Sequence, residues 1–144
     1  MAKDLATIRH LPVFEPHHPL CTNRYLHVRH HRPRRDLHVC TALGEIDLCT
    51  VALLEQELSL AQRRSVRSLV VDLSQVEFIG GVGVSALLAA AQHAARCHRS
   101  FTLVVDTPPV RRVLDLTEVS RQIVSYRSLS EALDAPSSCG TTCR

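Results

Sequence analysis

The sequence predicts an α/β domain: a mostly parallel sheet of four to five strands with an antiparallel edge, flanked by about four helices. Three observations carry this. Leu69–Val70–Val71–Asp72–Leu73 and Phe101–Thr102–Leu103–Val104–Val105 are short, almost wholly apolar runs, as in strands covered on both faces. Leu37, Val39, Thr41 and Leu43 alternate with His38, Cys40 and Ala42, the period of a half-buried strand. Between these runs apolar residues recur at helical spacing, and strands alternating with helices imply right-handed parallel crossovers.

Taken in order, residues 1–23 hold Pro12, Pro16 and Pro19 without sustained periodicity and read as an irregular leader. Tyr25–Arg29 and Leu37–Leu43 read as a hairpin split by a basic turn, His30–Asp36. Gly44–Glu45–Ile46–Asp47 then turns into a helix whose face is Val51, Leu54, Leu58 and Ala61, ending at Arg63–Arg64. A second helix carries Val84, Leu87, Leu88, Ala91 and Ala95 on one stripe. Asp106 or Thr107 caps a third, with prolines in its first turn and Val110, Val113 and Leu114 inward. Gln122–Tyr126 is a last short strand and Ser130 caps a final helix. The organisation expected is a leader (1–23), one domain (24–136) and a flexible tail (137–144).

Composition narrows the function classes. The 144 residues are 45% apolar, enough for one core, yet only 3% aromatic, so that core is aliphatic. No run reaches the roughly 18–20 apolar residues of a membrane span, and the first residues lack a signal-peptide core, so a cytoplasmic protein is expected. Residues 1–38 set seven cations against three acids and hold seven of the nine histidines. Such an arm suits polyanions, but no aromatic platform, helix-turn-helix or zinc-finger spacing accompanies it, so direct nucleic-acid binding is not expected. The six cysteines do not sit in a short secreted frame and are expected as thiols. His27, His30 and His31 with Cys21 and Cys40 make a poor metal set, because His27 and His30 fall on opposite faces of a strand. Asp72, Glu77 and Asp106 lack a nucleophile beside them. Neither metal, cofactor nor catalysis is expected.

Three of the five glycines stand in Gly80–Gly81–Val82–Gly83, between an apolar strand and an Ala-rich helix. Such a loop presents backbone N–H groups at the positive end of a helix dipole; it also serves simply as a tight turn where helix and sheet approach. It is not a P-loop, because no Lys–Ser/Thr follows Gly83. Nor is it a dinucleotide fingerprint, because Ala86 stands where a third glycine is required.

The stretch Leu69–Leu88, LVVDLSQVEFIGGVGVSALL, closely resembles the central signature of STAS domains, and Leu43–Asp47 resembles their Gly-Glu-Leu/Ile-Asp turn. The resemblance covers roughly residues 25–135. It implies a STAS-type fold and, in the anti-sigma factor antagonist branch, a regulatory module that sequesters an anti-sigma factor and so promotes sigma-dependent transcription. There, a serine after an Asp is phosphorylated by the partner. This sequence has Gly80 in place of that Asp, Gly81 in place of the serine and Val82 in place of Ser or Thr; only Gly83 matches. The resemblance therefore implies a non-phosphorylatable antagonist, its partner an anti-sigma factor or related regulatory protein. The alternative is a non-switching structural STAS subunit of a signalling or transport-linked complex, with self-association into a homodimer as one form.

The docking residues expected are Glu45, Asp47, Gly80, Gly81, Val82, Gly83 and Ser85, gathered where strand C-termini meet. Asp47 has the simpler role of a helix N-cap, and Ser85 that of a small surface residue. A Gly83→Arg change is expected to weaken docking with little loss of fold, provided its backbone angle suits arginine. Ser85 is expected to present in a different direction from the loop, so that a kinase reaches it poorly.

Overall fold

The computed structural model describes residues 8–11, 25–64 and 67–135. Six strands form one sheet in sequence order, β1-β2-β3-β4-β5-β6. They are β1 (Ile8–Leu11), β2 (Leu26–Arg34), β3 (Leu37–Ile46), β4 (Ser68–Ile79), β5 (Ser100–Val104) and β6 (Val124–Tyr126). The helices are α1 (Val51–Arg64), α2 (Gly81–Arg96), α3 (Pro108–Leu116), α4 (Val119–Gln122) and α5 (Leu129–Asp134). β1–β2 and β2–β3 pair antiparallel; β3 through β6 pair parallel. The predicted sheet, with its antiparallel edge, is thus present.

The expected irregular leader differs at Ile8–Leu11, which pair with Arg29–Leu26 as an added edge strand. Without it, the outer N–H and C=O groups of β2 would face no strand. The remainder of residues 1–23, and the tail from 136, lie outside the described residues. The hairpin is also longer than expected. His30–Arg34 are strand, and the reversal is the two-residue turn Arg35–Asp36. A register shift between His31 and Arg34 accommodates Pro33, which has no N–H to give a ladder.

β4 sits between β3 and β5 and is buried on both faces: Leu69, Val70, Val71 and Leu73 are at most 3% exposed. Leu69, Val71 and Leu73 join the larger core with Leu54, Leu58, Leu87, Leu103, Val110 and Leu114, under α1 to α3. Val70 faces the other way, with Leu37, Val39, Val104 and Ala132 under α5. Asp72, expected to close this strand, lies within it; β4 runs on to Ile79, with register shifts after Thr41 and after Gly44 on β3. The Asp72 carboxylate accepts the Ser74 N–H at 2.9 Å, fixing the first irregularity. Ser74, Gln75 and Glu77 lie beyond the apolar run, and pairing with the neighbouring β3 keeps the backbone extended there.

The caps shift too. Ser128, not Ser130, caps α5 by accepting the Glu131 N–H at 3.2 Å. Thr107 precedes α3 without capping it; its hydroxyl donates to the Val76 carbonyl at 3.1 Å, tying α3 to β4. Cys49 is disulfide-bonded, so the expectation of thiols throughout is corrected there; Cys40 (buried) and Cys97 (exposed) are free.

Candidate functional site

The C-terminal ends of β3 and β4 run out side by side, with Glu45 opposite Phe78 and Ile46 opposite Ile79. The segments that leave these two strands form one surface. Gly44 and Glu45, expected in a turn, are still strand. Gly44 has φ +119°, and a Cβ there would meet the Tyr25 carbonyl oxygen at 2.5 Å, so no other residue fits this bend. Asp47 begins the true turn. Its Oδ1 accepts the Cys49 N–H at 2.8 Å, and its carbonyl accepts the Thr50 and Val51 N–H groups at 3.1 and 2.8 Å. Thr50, fully buried, accepts the Asp47 N–H at 2.9 Å and donates to the Glu45 carbonyl at 2.8 Å. Asp47 therefore builds the turn ahead of α1, and Thr50, which no sequence pattern singles out, locks it.

The glycine loop is tied to this turn: the Gly80 N–H donates to the Ile46 carbonyl at 2.8 Å. Gly80 is the residue before α2 (φ −93°, ψ 177°), and no side chain caps the helix. Its carbonyl receives the Gly83 and Val84 N–H groups at 3.0 and 3.1 Å. The three glycines then differ. A Cβ on Gly81 would meet nothing within 4 Å, and one on Gly80 would make ordinary contacts with the Phe78 ring and the Ile46 carbonyl. One on Gly83 would lie 2.4 Å from Ile46 Cγ2 and 2.8 Å from Ile79 Cγ1.

Of the expected docking residues, Gly81 and Ser85 are exposed and Glu45, Asp47, Gly80 and Val82 half-buried, all at this end. Gly83 is buried, a point of helix–sheet contact, so Gly83→Arg tests folding and not docking. The direction expected for Ser85 is corrected as well. α2 starts at Gly81, and four residues make just over one turn, so Ser85 lies on the same face, about 6 Å further along.

Two further residues of this end are apolar and escape the sequence pattern. Leu48, in the Asp47–Thr50 turn, is 61% exposed; Phe78 is 45% exposed, and its ring would lie 3.6 Å from a Cβ on Gly80. Both fall outside the periodicities that assign core positions, and that was their available signal: large apolar side chains with no inward phase. The surface is thus open, partly apolar and glycine-lined. Among the described residues, no group of three or more metal-ligating side chains comes together.

Residues 32–132 match the sequence profile of the STAS domain. The chain is 33% identical to "Anti-sigma-F factor antagonist RsfB" of Mycobacterium tuberculosis over 90 residues, 62% of this chain and 73% of that protein. It resembles the crystal structure of an anti-sigma factor antagonist from Mycobacterium paratuberculosis at a TM-score of 0.69 and 31% identity, covering 75% of this chain and 91% of that one. The anti-sigma factor antagonist SpoIIAA in its unphosphorylated form shares the fold, with a TM-score of 0.63 at 19% identity over 74% of this chain and 93% of that one. The order of elements and the profile match over most of the domain agree: this chain belongs to the STAS domain family.

Proposed function

We propose that this protein is an anti-sigma factor antagonist that works by docking alone, sequestering an anti-sigma factor through the end of the sheet formed by Asp47, Leu48, Phe78, Gly80, Gly81, Val82 and Ser85. The observation that carries this reading is the likeness to mycobacterial anti-sigma factor antagonists, at 33% identity to one and 31% to another. The surface supports it: a partner can approach the backbone at Gly81 closely, while Leu48 and Phe78 offer apolar anchors at its margin. Chemistry on a bound substrate is no part of this function. Among the described residues, no helix is long and apolar enough to cross a membrane; the action proposed is in the cytoplasm.

The test is titration of purified candidate anti-sigma factors from the encoding genome with the wild-type chain and Gly81→Arg. Wild type should bind one of them and release its sigma factor. Gly81→Arg should bind that partner at least tenfold more weakly with an unchanged melting temperature, because its side chain projects into open space. Equal affinity would place the docking surface elsewhere.

Regulation is set by the loop. Gly80–Gly83 has no hydroxyl to accept phosphate, so incubation with an anti-sigma kinase and ATP should leave these residues unmodified. Restoring Asp at Gly80 and Ser at Gly81 together is sterically open. The Asp should also cap α2, gaining a few tenths of a kcal/mol over glycine. Phosphopeptide mapping should then find phosphate on the introduced serine when a cognate kinase is supplied. Stoichiometric phosphate on wild-type Ser85, one turn along the same face, would overturn the reading of an unswitched binder.

A further inference from the structure

On the helix-covered side of the hairpin, two histidines and a glutamate stand where core residues belong. Leu26, Val28 and His30 share one face of β2; His38, Cys40 and Ala42 share the same face of β3. Glu57 lies between Leu54 and Leu58 on α1 and is buried with them. His30, His38 and Glu57 are only 3–4% exposed. They form a chain: His38 Nε2 to His30 Nδ1 at 2.9 Å, then His30 Nε2 to Glu57 Oε1 at 2.6 Å. The far end of the chain, His38 Nδ1, is buried without a hydrogen-bond partner among the described residues.

One proton arrangement has His30 neutral, donating to Glu57 and accepting from His38. The other has His30 as imidazolium, donating to both Glu57 and His38. In each, the ring of His38 is neutral. A proton added to His38 in the first arrangement goes to Nδ1, which has no acceptor among the described residues; in the second it goes to Nε2 and displaces the hydrogen bond from His30. It would also face a cationic surround: His30, His31 and Arg32 from β2, and Arg64 from α1. Arg32 donates to the Arg64 carbonyl, which closes that side. The other groups packed near offer no relief. Glu57 is already held by His30, and the Cys40 thiol of β3 is kept protonated by burial and by the Glu57 charge. β4 contributes Leu69, in register with His38.

We propose that His38, His30 and Glu57 form a proton-sensitive clasp that holds the β2–β3 hairpin onto α1 through a neutral His38 and weakens on acidification, because the opened state takes up the proton that the closed state refuses. α1 comes directly after the Asp47–Thr50 turn, so the clasp governs how firmly that turn is held.

The sign of the pH dependence is fixed by the neutral state. Burial first, and then the cations around it, hold His38 down at about 4 in the folded chain, against 6.5 when exposed. Above 6.5 the clasp contributes fully. Between 6.5 and 4 the unfolded or opened state takes up a proton that the closed state refuses, so stability falls about tenfold in the folding equilibrium per pH unit.

The experiment compares the full chain with His38→Gln, whose side-chain amide can still hydrogen-bond His30 but cannot titrate. Urea unfolding is measured from pH 7.5 to 5.0, with hydrogen exchange corrected for intrinsic rates. From pH 6.5 to 5.0 the wild-type folding constant should fall about fifteenfold more than that of His38→Gln. Protection in α1 and the hairpin should be lost before that in β4, α2 and β5. The histidine ring resonances of folded wild type should show His38 still neutral at pH 5.0, a readout that survives if the variant does not fold. Parallel pH curves for the two proteins, titration of His38 near 6.5, or uniform loss of protection would each overturn the clasp.

Discussion

Val71→Asp is expected to abolish cooperative folding. Val71 is fully buried in the strand at the heart of the sheet, with Cys40 opposite it on β3 and Leu103 on β5. All three sit in the aliphatic core beneath the helices. A carboxylate there would be surrounded by the aliphatic core, so burial would protonate it; even then it buries a polar group with only the weak Cys40 thiol opposite and loses the packing of the valine. The combined cost is several kcal/mol against a total of about 5–15 for a domain of this size. Val71→Ala removes the packing without the polar group and should cost about 2 kcal/mol, leaving a cooperative transition. Circular dichroism during thermal and urea unfolding checks both. A Val71→Asp chain that melted like wild type would refute the placement of β4 at the centre of the core.

The second large effect separates two glycines only two residues apart. Gly83→Ala should destabilise by about 1–3 kcal/mol, because the new Cβ would lie 2.4 Å from Ile46 Cγ2 and 2.8 Å from Ile79 Cγ1. Those isoleucines are at most 1% exposed and cannot swing away. Gly83→Arg should not fold at all. Gly81→Ala meets nothing within 4 Å and should be neutral or stabilising by up to about 1 kcal/mol, through lower freedom of the unfolded chain. The urea midpoints of the two alanine variants give the comparison, and Gly83→Arg should show no cooperative transition. Equal stability of Gly81→Ala and Gly83→Ala would mean that α2 does not touch the sheet at Gly83.

These two glycines also show what could be read without coordinates. The run Gly80–Gly83 marked a strand-to-helix junction, and the apolar runs of β4 and β5 marked buried strands, because periodicity and glycine usage are local properties of the chain. Which glycine faces open space and which packs against the sheet is not local. It depends on Ile46, more than thirty residues earlier, arriving beneath Gly83. The same limit applies to β4. The sequence pattern ends this strand at Leu73, and pairing with β3 keeps it extended to Ile79.

The same holds for the buried clasp. His30, read as part of a basic turn, and His38, read as alternating with Leu37 and Val39, are both buried in their strands, and Glu57 is buried on its helix; none of the three is marked as inward by the sequence. Nor could it show that they meet. The family, the mostly parallel sheet with its antiparallel edge and the aliphatic core were determined by the sequence itself, through periods of two and 3.6 residues and one local motif. The tertiary structure decided the rest: the exposure of Leu48 and Phe78, the division of labour among the glycines, and the joining of His30, His38 and Glu57. Each of those depends on contacts between segments far apart in the chain, and such contacts leave no mark in local pattern.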